Sequence, residues 1–403
     1  MQSETLKREY ESMKDRFYAF ISMGFWRDYR TLFGLWTLLA FVAAAMKMHS
    51  HNNFLIFRGV FHHAWEQISL YAEYPAEHWD TNHYGPLFSI IIAPFAVVPE
   101  WLGLIGWCLA LTLFLYWAVR SSLLTRHQQV FVLWFCAHEL LTALFMQQFN
   151  IAIAAIILLS FFLIEKEQDG WATFFIVLGT LVKLYGIVGL AFFFFSKHKV
   201  NFILSLIGWS AFLIIAPMLF SSPDYIIGQY QEWMVSLTGK NSENLFATHQ
   251  NISLLGIVRK ISGCASYSDL WLIVPGLALF AIPYLRLNQY KNMAFRQTLL
   301  ASVLMFVVLF STGSESSGYI IALLGVVIWY TASPWKRTGW DVALLVFAFV
   351  LTSLSPSDLF PKTIREQWVQ PYALKALPVS IIWLKLCWEM CFRDYSDNSK
   401  ALA

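Results

Sequence analysis

The chain has 403 residues, of which 58% are hydrophobic and 13% are charged, and its formal net charge at pH 7 is +3. Soluble domains usually carry about 25% charged residues, so this composition excludes an ordinary water-soluble domain. The small net charge gives no reason to expect nucleic acid as a partner. The apolar residues form long runs, which predicts an all-α polytopic membrane protein with about 11–13 membrane segments.

Eleven apolar runs carry this prediction. In chain order they cover residues 31–47, 101–118, 129–146, 151–164, 171–195, 202–220, 270–285, 298–310, 319–330, 342–354 and 373–390. Several are shorter than the roughly 20 residues that a helix needs to cross a bilayer. We therefore expect half-helices and re-entrant segments among them.

Lysine and arginine cluster in short stretches between the runs. These stretches are the N-terminal 30 residues, 120–126, 197–199, 286–296, 336–337 and Arg393. The positive-inside rule places them in the cytoplasm. The expected organisation is a cytoplasmic amphipathic segment over 1–30, a transmembrane domain over 31–392 and a cytoplasmic tail over 393–403.

Two large polar loops, at about 48–85 and 221–269, are rich in His, Asn, Tyr, Trp and acids and poor in Lys and Arg. That composition is typical of the extracytoplasmic side. Two alternatives stay open here. The stretch 86–98 either crosses the membrane or only dips into it. The run 171–195 is either one span or two short helices that meet at Lys183, and the second version is favoured because it keeps both flanking loops cytoplasmic.

Lys183 interrupts an apolar run, where an inserted lysine costs roughly 2.5–3.5 kcal/mol. It is either a snorkelling residue at a helix break or a ligand for an anion such as phosphate. Gln148 and Asn150 interrupt another run, either as a polar turn or as binding groups. Neither the histidines nor the cysteines have the spacing of metal ligands, so we expect no metal and no cofactor.

Three carboxylates near the predicted outer face, Glu66, Asp80 and Glu315, are candidates for a general base, although each is also compatible with solvated surface. A further polar group, His249, Asn251 and Ser253, precedes an apolar stretch, where the same residues could simply cap a helix.

Four segments, in the right order, resemble glycosyltransferase family 87, integral membrane enzymes of the GT-C fold class. They are Asn53-Phe54 with His83-Tyr84-Gly85-Pro86-Leu87-Phe88, then Gln147-Gln148-Phe149-Asn150, then the small-residue run that ends in Lys183 and precedes a basic turn, and then Asn251-Ile252-Ser253-Leu254-Leu255-Gly256.

The resemblance implies inverting transfer of a hexose such as mannose from a polyprenyl-phosphate sugar to a lipid or glycan acceptor. The site would lie at the extracytoplasmic face of a membrane, expected to be a bacterial inner membrane, among membrane lipids. Lys183 and Arg58 would stabilise the donor phosphate. The residues that would bind substrate are Asn53, Tyr84, Gln148, Asn150, His249, Asn251 and Ser253.

The chain departs from the family pattern at its first loop, where Asn53 replaces the aspartate expected to be the base. An amide accepts no proton usefully, so two alternatives follow. Either the base is Asp80, Glu66 or Glu315, or the chain has lost or changed its activity and serves as a subunit of an envelope-assembly complex. A third alternative is a transporter or flippase of a lipid-linked or polar solute.

Overall fold

The computed structural model describes residues 24–396, and within them the chain forms helices and turns without any strand. In chain order the α-helices are α1 (Tyr29–Lys47), α2 (Asn52–Glu66), α3 (Phe88–Ala96), α4 (Glu100–Ser121), α5 (Arg126–Phe135), α6 (Ala137–Phe145), α7 (Asn150–Glu165), α8 (Asp169–Val182), α9 (Lys199–Ile215), α10 (Pro223–Glu243), α11 (Leu254–Ser262), α12 (Leu270–Ala281), α13 (Met293–Leu309), α14 (Tyr319–Ala332), α15 (Gly339–Phe347), α16 (Lys362–Ile364) and α17 (Leu377–Phe392). The 3₁₀ and π segments are Gly24–Arg27, Leu184–Phe195, Ala216–Leu219, Ile282–Leu285, Leu287–Gln289, Ser316–Gly318, Ala348–Leu354, Arg365–Val369 and Leu374–Ala376.

The prediction of an all-α polytopic membrane protein is confirmed. Among the described residues, three helices are long and apolar enough to span a membrane alone: α1, α4 and α9 extended to Leu219. A fourth span is added if α5 and α6, which meet at a 46° bend, count as one. The other apolar helices have 10–17 residues, so the total of 11–13 segments stays a prediction.

The two predicted termini are only partly described. Of the predicted N-terminal segment 1–30, residues 1–23 lie outside the described residues. Of the predicted C-terminal tail 393–403, residues 397–403 lie outside them.

Three helices, α7, α13 and α14, form the core because they are buried almost all round. A helix that is apolar on every side can be stable only when protein or lipid surrounds it. In contrast, α9 buries only Phe202 and Leu213 and exposes large apolar side chains such as Ile207. The fold therefore has a protein-enclosed centre and lipid-compatible helices at its edge.

The helix ends form two polar faces. One holds the basic turns, with the Arg296–Glu165 ion pair at 2.8 Å and the Arg337–Glu389 pair at 3.0 Å, and we call it the basic end. The other, the loop end, holds residues 48–87, 220–269 and 311–318. Backbone hydrogen bonds join its loops to the helix breaks, such as the bond from Gly85 N–H to the Val182 carbonyl at 3.0 Å.

The short helix α3 bears on the first open alternative, whether the stretch 86–98 crosses the membrane or only dips into it. Its nine residues span about 14 Å, which is less than half of the ~30 Å hydrocarbon core of a bilayer. A helix of this length is too short to cross a bilayer alone, which favours the version in which the stretch 86–98 only dips into the membrane.

The run 171–195 is two short helices, as favoured from the sequence. Helix α8 ends at Val182 and the 3₁₀ segment begins at Leu184, with Lys183 extended between them (φ −145°, ψ 121°). The two arms pack as a tight hairpin in which Gly186 faces Gly179. A methyl group on Gly186 would lie 2.3 Å from the Gly179 carbonyl carbon. Close glycine contact thus fixes the turn that presents Lys183.

We expect Gly186→Ala to force the hairpin arms apart. The free energy of unfolding should fall by about 1–3 kcal/mol, as in other overpacked sites, when measured by thermal unfolding in detergent. Gly208→Ala is the matched control, because a Cβ there meets nothing within 4 Å, and it should leave stability unchanged or slightly raised. Equal melting temperatures for the two variants would contradict the close packing.

Candidate active site

A chain of hydrogen-bonded side chains joins Lys183 to Glu315. Lys183 Nζ donates to Asn150 Oδ1 at 2.7 Å, and Asn150 Nδ2 donates to Gln148 Oε1 at 3.0 Å. Gln148 Nε2 donates to one carboxylate oxygen of Glu315, and Gln250 Nε2 donates to the other at 3.1 Å. We name these five side chains the Lys183–Glu315 cluster.

Four of the five cluster members stand where a helix begins or ends at the loop end, and Gln250 lies in the loop that precedes α11. Gln148 lies in the break between α6 and α7, and Asn150 is the first residue of α7. Glu315 directly precedes the short 3₁₀ turn Ser316–Gly318. Helix breaks leave backbone groups without intrahelical partners, so polar residues concentrate there, and four separate breaks meet at this point.

Two tyrosines flank the ammonium group of Lys183. Its Nζ lies 5.7 Å from the centre of the Tyr84 ring and 5.0 Å from that of Tyr185. Each ring is fixed through its hydroxyl: Tyr84 Oη accepts from the Phe149 N–H at 3.1 Å, and Tyr185 Oη shares a 2.8 Å hydrogen bond with Ser311 Oγ. The aromatic faces favour a cation between them.

The cluster pairs one cation with one carboxylate through neutral amides. The charge of Glu315 acts on Lys183, although the two are bridged by Asn150 and Gln148 rather than in contact. An ammonium has three N–H donors, and Asn150 is the acceptor of Lys183 within the described residues. Two donors therefore remain available to an anionic ligand.

His83 and Asp80 lie at the rim of this region. Burial, helped by the positive charge of Lys240, lowers the pKa of His83 to about 4, so the ring is neutral at pH 7. Both Asp80 and Lys183 act on His83 electrostatically. The Asp80 carboxylate is 3.7 Å from Lys240 Nζ, so Asp80 already has a cationic partner of its own.

Glu66 and Arg58, two of the predicted site residues, lie outside the cluster. Glu66 is exposed at the end of α2, where its charge acts on His63. Arg58 donates to the carbonyls of Ala96 and Val98 at 3.1 and 3.4 Å and lies 3.7 Å from Glu100. Its guanidinium therefore ties α2 to the end of α3.

Asn53, the counterpart of the expected aspartate, donates from Nδ2 to the Met146 carbonyl at 2.8 Å. That carbonyl belongs to the C-terminal cap of α6, directly before the turn that carries Gln148. A carboxylate has no N–H to donate, so an aspartate could not make this contact. The side-chain amide of Asn53 therefore suits this position, because it supplies the N–H that the Met146 carbonyl accepts.

Asn251 and Ser253 build a turn. Ser253 Oγ donates to Asn251 Oδ1 at 2.7 Å and accepts from the Gly256 N–H at 3.0 Å, which caps α11. Both side chains are fully buried, so they hold Gln250 toward Glu315 and do not line an open surface. His249 is exposed.

Sequence reasoning missed Gln250, Tyr185 and a buried ion pair behind the cluster. Lys375 Nζ lies 2.7 Å from Glu139 Oε1 and also donates to Ser316 Oγ at 2.8 Å and to the Ser316 carbonyl at 3.0 Å. This pair holds the residue next to Glu315. The available signal was a lysine inside the apolar run 373–390, as unusual there as Lys183 is in its run.

The family model of glycosyltransferase family 87 matches residues 82–312 of the chain, more than half of its length. The chain belongs to glycosyltransferase family 87. The resemblance seen in the sequence is thereby confirmed, and so is the coarse prediction of a membrane-embedded glycosyltransferase. No curated protein matches the chain.

The family 87 match covers most of the cluster. Gln148, Asn150, Lys183 and Gln250 fall inside it, whereas Glu315 lies just beyond its end and Asn53 lies before its start. The amide and lysine members of the cluster thus belong to the matched region, and the carboxylate lies just beyond its end.

We expect Glu139→Ala to lower the free energy of unfolding by about 3–5 kcal/mol, because it leaves the buried Lys375 ammonium without its carboxylate. The combined replacement Glu139→Leu with Lys375→Met should recover much of that loss, since neither charge then remains. Thermal unfolding in detergent measures both. If the single and the double variant melt together, the pair is not a coupled unit.

Proposed function

We propose that the Lys183–Glu315 cluster transfers a hexose, for example mannose, from a polyprenyl-phosphate sugar to a hydroxyl of a lipid or glycan acceptor, with inversion at the sugar. The observation that carries this proposal is one hydrogen-bond chain at the loop end of a family 87 glycosyltransferase, which links an available cation to an amide-held carboxylate.

Lys183 is the group proposed to hold the donor phosphate. As the sugar–phosphate bond breaks, negative charge builds on the leaving phosphate, and a pre-positioned cation in a partly buried site stabilises it. The ammonium is supported by Asn150 and flanked by two aromatic rings, so it needs little rearrangement. A lipid monophosphate carries less negative charge than a lipid pyrophosphate. A single cation can therefore offset the charge of the monophosphate.

Glu315 is the proposed general base. In this step its carboxylate takes the proton of the acceptor hydroxyl, the hydroxyl oxygen bonds to the anomeric carbon, and the bond to the phosphate breaks on the opposite face. Gln148 and Gln250 each hold one carboxylate oxygen. Each oxygen has a second lone-pair site, which leaves room for the acceptor hydroxyl.

The other two candidate bases are less well placed. Asp80 is paired with Lys240, and Glu66 is exposed near His63. Only Glu315 shares a hydrogen-bond chain with Lys183 among the described residues. Asn150, Gln148 and Tyr84 would contact the sugar hydroxyls.

The proposed site faces the extracytoplasmic side, in a bacterial inner membrane. Support comes from charge distribution, since the basic turns gather at the opposite end of the helices and such turns mark the cytoplasm. The lipid part of the donor would then lie between helices, with its phosphate at the outer interface.

We expect Glu315→Gln to lower the rate of sugar transfer by a factor of about 10²–10⁴, as for loss of a general base. The rate is measured with purified protein in liposomes containing a polyprenyl-phosphate sugar and an acceptor. Lys183→Met should lower it to a similar extent by removing the charge opposite the phosphate.

Glu66→Gln is the matched control for these variants, because it makes the same chemical change outside the cluster and should keep the wild-type rate. Wild-type turnover by Glu315→Gln, with folding verified by thermal unfolding, would overturn the assignment of the base.

Asn53→Asp tests whether the family position has kept a catalytic role. We expect the free energy of unfolding to fall by about 1–3 kcal/mol, because the Met146 carbonyl loses its donor. The rate of sugar transfer should not rise. Asn52→Asp is the control, since Asn52 uses its oxygen to accept from the Trp79 N–H and aspartate keeps that bond. A gain of transfer in Asn53→Asp would support the alternative of an inactive wild-type chain.

A further inference from the structure

A cleft of about 1620 Å³ opens at the basic end, far along the helices from the Lys183–Glu315 cluster. It lies between α5, α13 and α14, with residues of the 3₁₀ segment Gly24–Arg27 at one side. Pockets for drug-sized ligands typically enclose roughly 300–1,000 Å³. The cleft is therefore large enough for a bulkier molecule.

The charged side chains that line the cleft are all basic or histidine. Arg27, Arg126 and Lys336 are exposed, and none of them forms an ion pair with a carboxylate within residues 24–396. The fourth, Arg337, is different because it is paired with Glu389 at 3.0 Å. Three positive charges thus surround the opening without an internal counter-charge from the described part of the chain.

The walls of the cleft are apolar and largely aromatic. Trp26 packs against Trp134 with ring centres 5.4 Å apart, and Phe131 packs against Tyr330 at 6.1 Å. Met293 lines the cleft beside them. A soluble anion would gain from the basic rim but would leave these walls facing water.

A molecule that satisfies both surfaces has an anionic head and apolar chains. Basic pockets between membrane helices on the cytoplasmic side bind the head groups of anionic lipids, and the basic turns assign this end to the cytoplasm. We propose that the cleft binds one anionic phospholipid, with its phosphate near Arg126 and Lys336 and its acyl chains against the aromatic walls. This site is separate from the proposed transfer site and does not depend on it.

The test is native mass spectrometry of the full chain in detergent, with phosphatidylglycerol or phosphatidylcholine titrated in. Wild type should retain one phosphatidylglycerol in preference to phosphatidylcholine. The double variant Arg126→Gln with Lys336→Gln should bind it about 30-fold more weakly, because each cation near a lipid head group contributes about a factor of five. The control, Lys197→Gln with Lys291→Gln, removes the same charge from the basic end outside the cleft and should bind as wild type does.

A second variant keeps the charges and fills the space. Ala294→Phe narrows the cleft that Ala294 lines and should also displace the lipid. The proposal is overturned if both double variants lose the lipid equally, if phosphatidylcholine is retained as well as phosphatidylglycerol, or if inorganic phosphate alone releases the bound lipid.

Discussion

Inside a bilayer every backbone polar group needs a partner within the protein, and this constraint decides where chemistry can occur in this chain. Polar side chains are most easily accommodated where helices break, because there the backbone itself needs polar partners. The breaks at Gln148, Lys183 and Glu315 all lie at one end of the helices, and the hydrogen bonds of Asn150 join them into one unit. The proposed site therefore lies at the same breaks that shape the fold.

The amide of Asn53, where the resemblance leads us to expect an aspartate, has a clear partner in this structure. The amide donates to a carbonyl at the end of α6, a contact that an ionised carboxylate would turn into a repulsion. The carboxylate that stands near the cation is Glu315, on the opposite side of the same polar turn. Lys375 and Glu139 hold the loop that carries Glu315 through the contacts of Lys375 with Ser316.

Much of this fold could be predicted from the sequence because insertion into lipid is a matter of composition. Apolar runs, basic turns and the break at Lys183 are all local signals. Contacts between distant parts of the chain are not local signals. Lys375 and Glu139 are 236 residues apart, and the sequence around each residue does not indicate that the two form an ion pair. Arg58 shows the same limit, since its role depends on the carbonyl groups that happen to end α3 beside it. The choice of Glu315 among three acids needed the structure for the same reason.

The most direct test of the central claim is a structure determined with a non-transferable analogue of a polyprenyl-phosphate sugar. We expect the phosphate to lie within about 3 Å of Lys183 Nζ, at the distance of a charge-assisted hydrogen bond, with the anomeric carbon turned toward Glu315. A phosphate bound instead at Arg58, or a sugar turned away from Glu315, would contradict it.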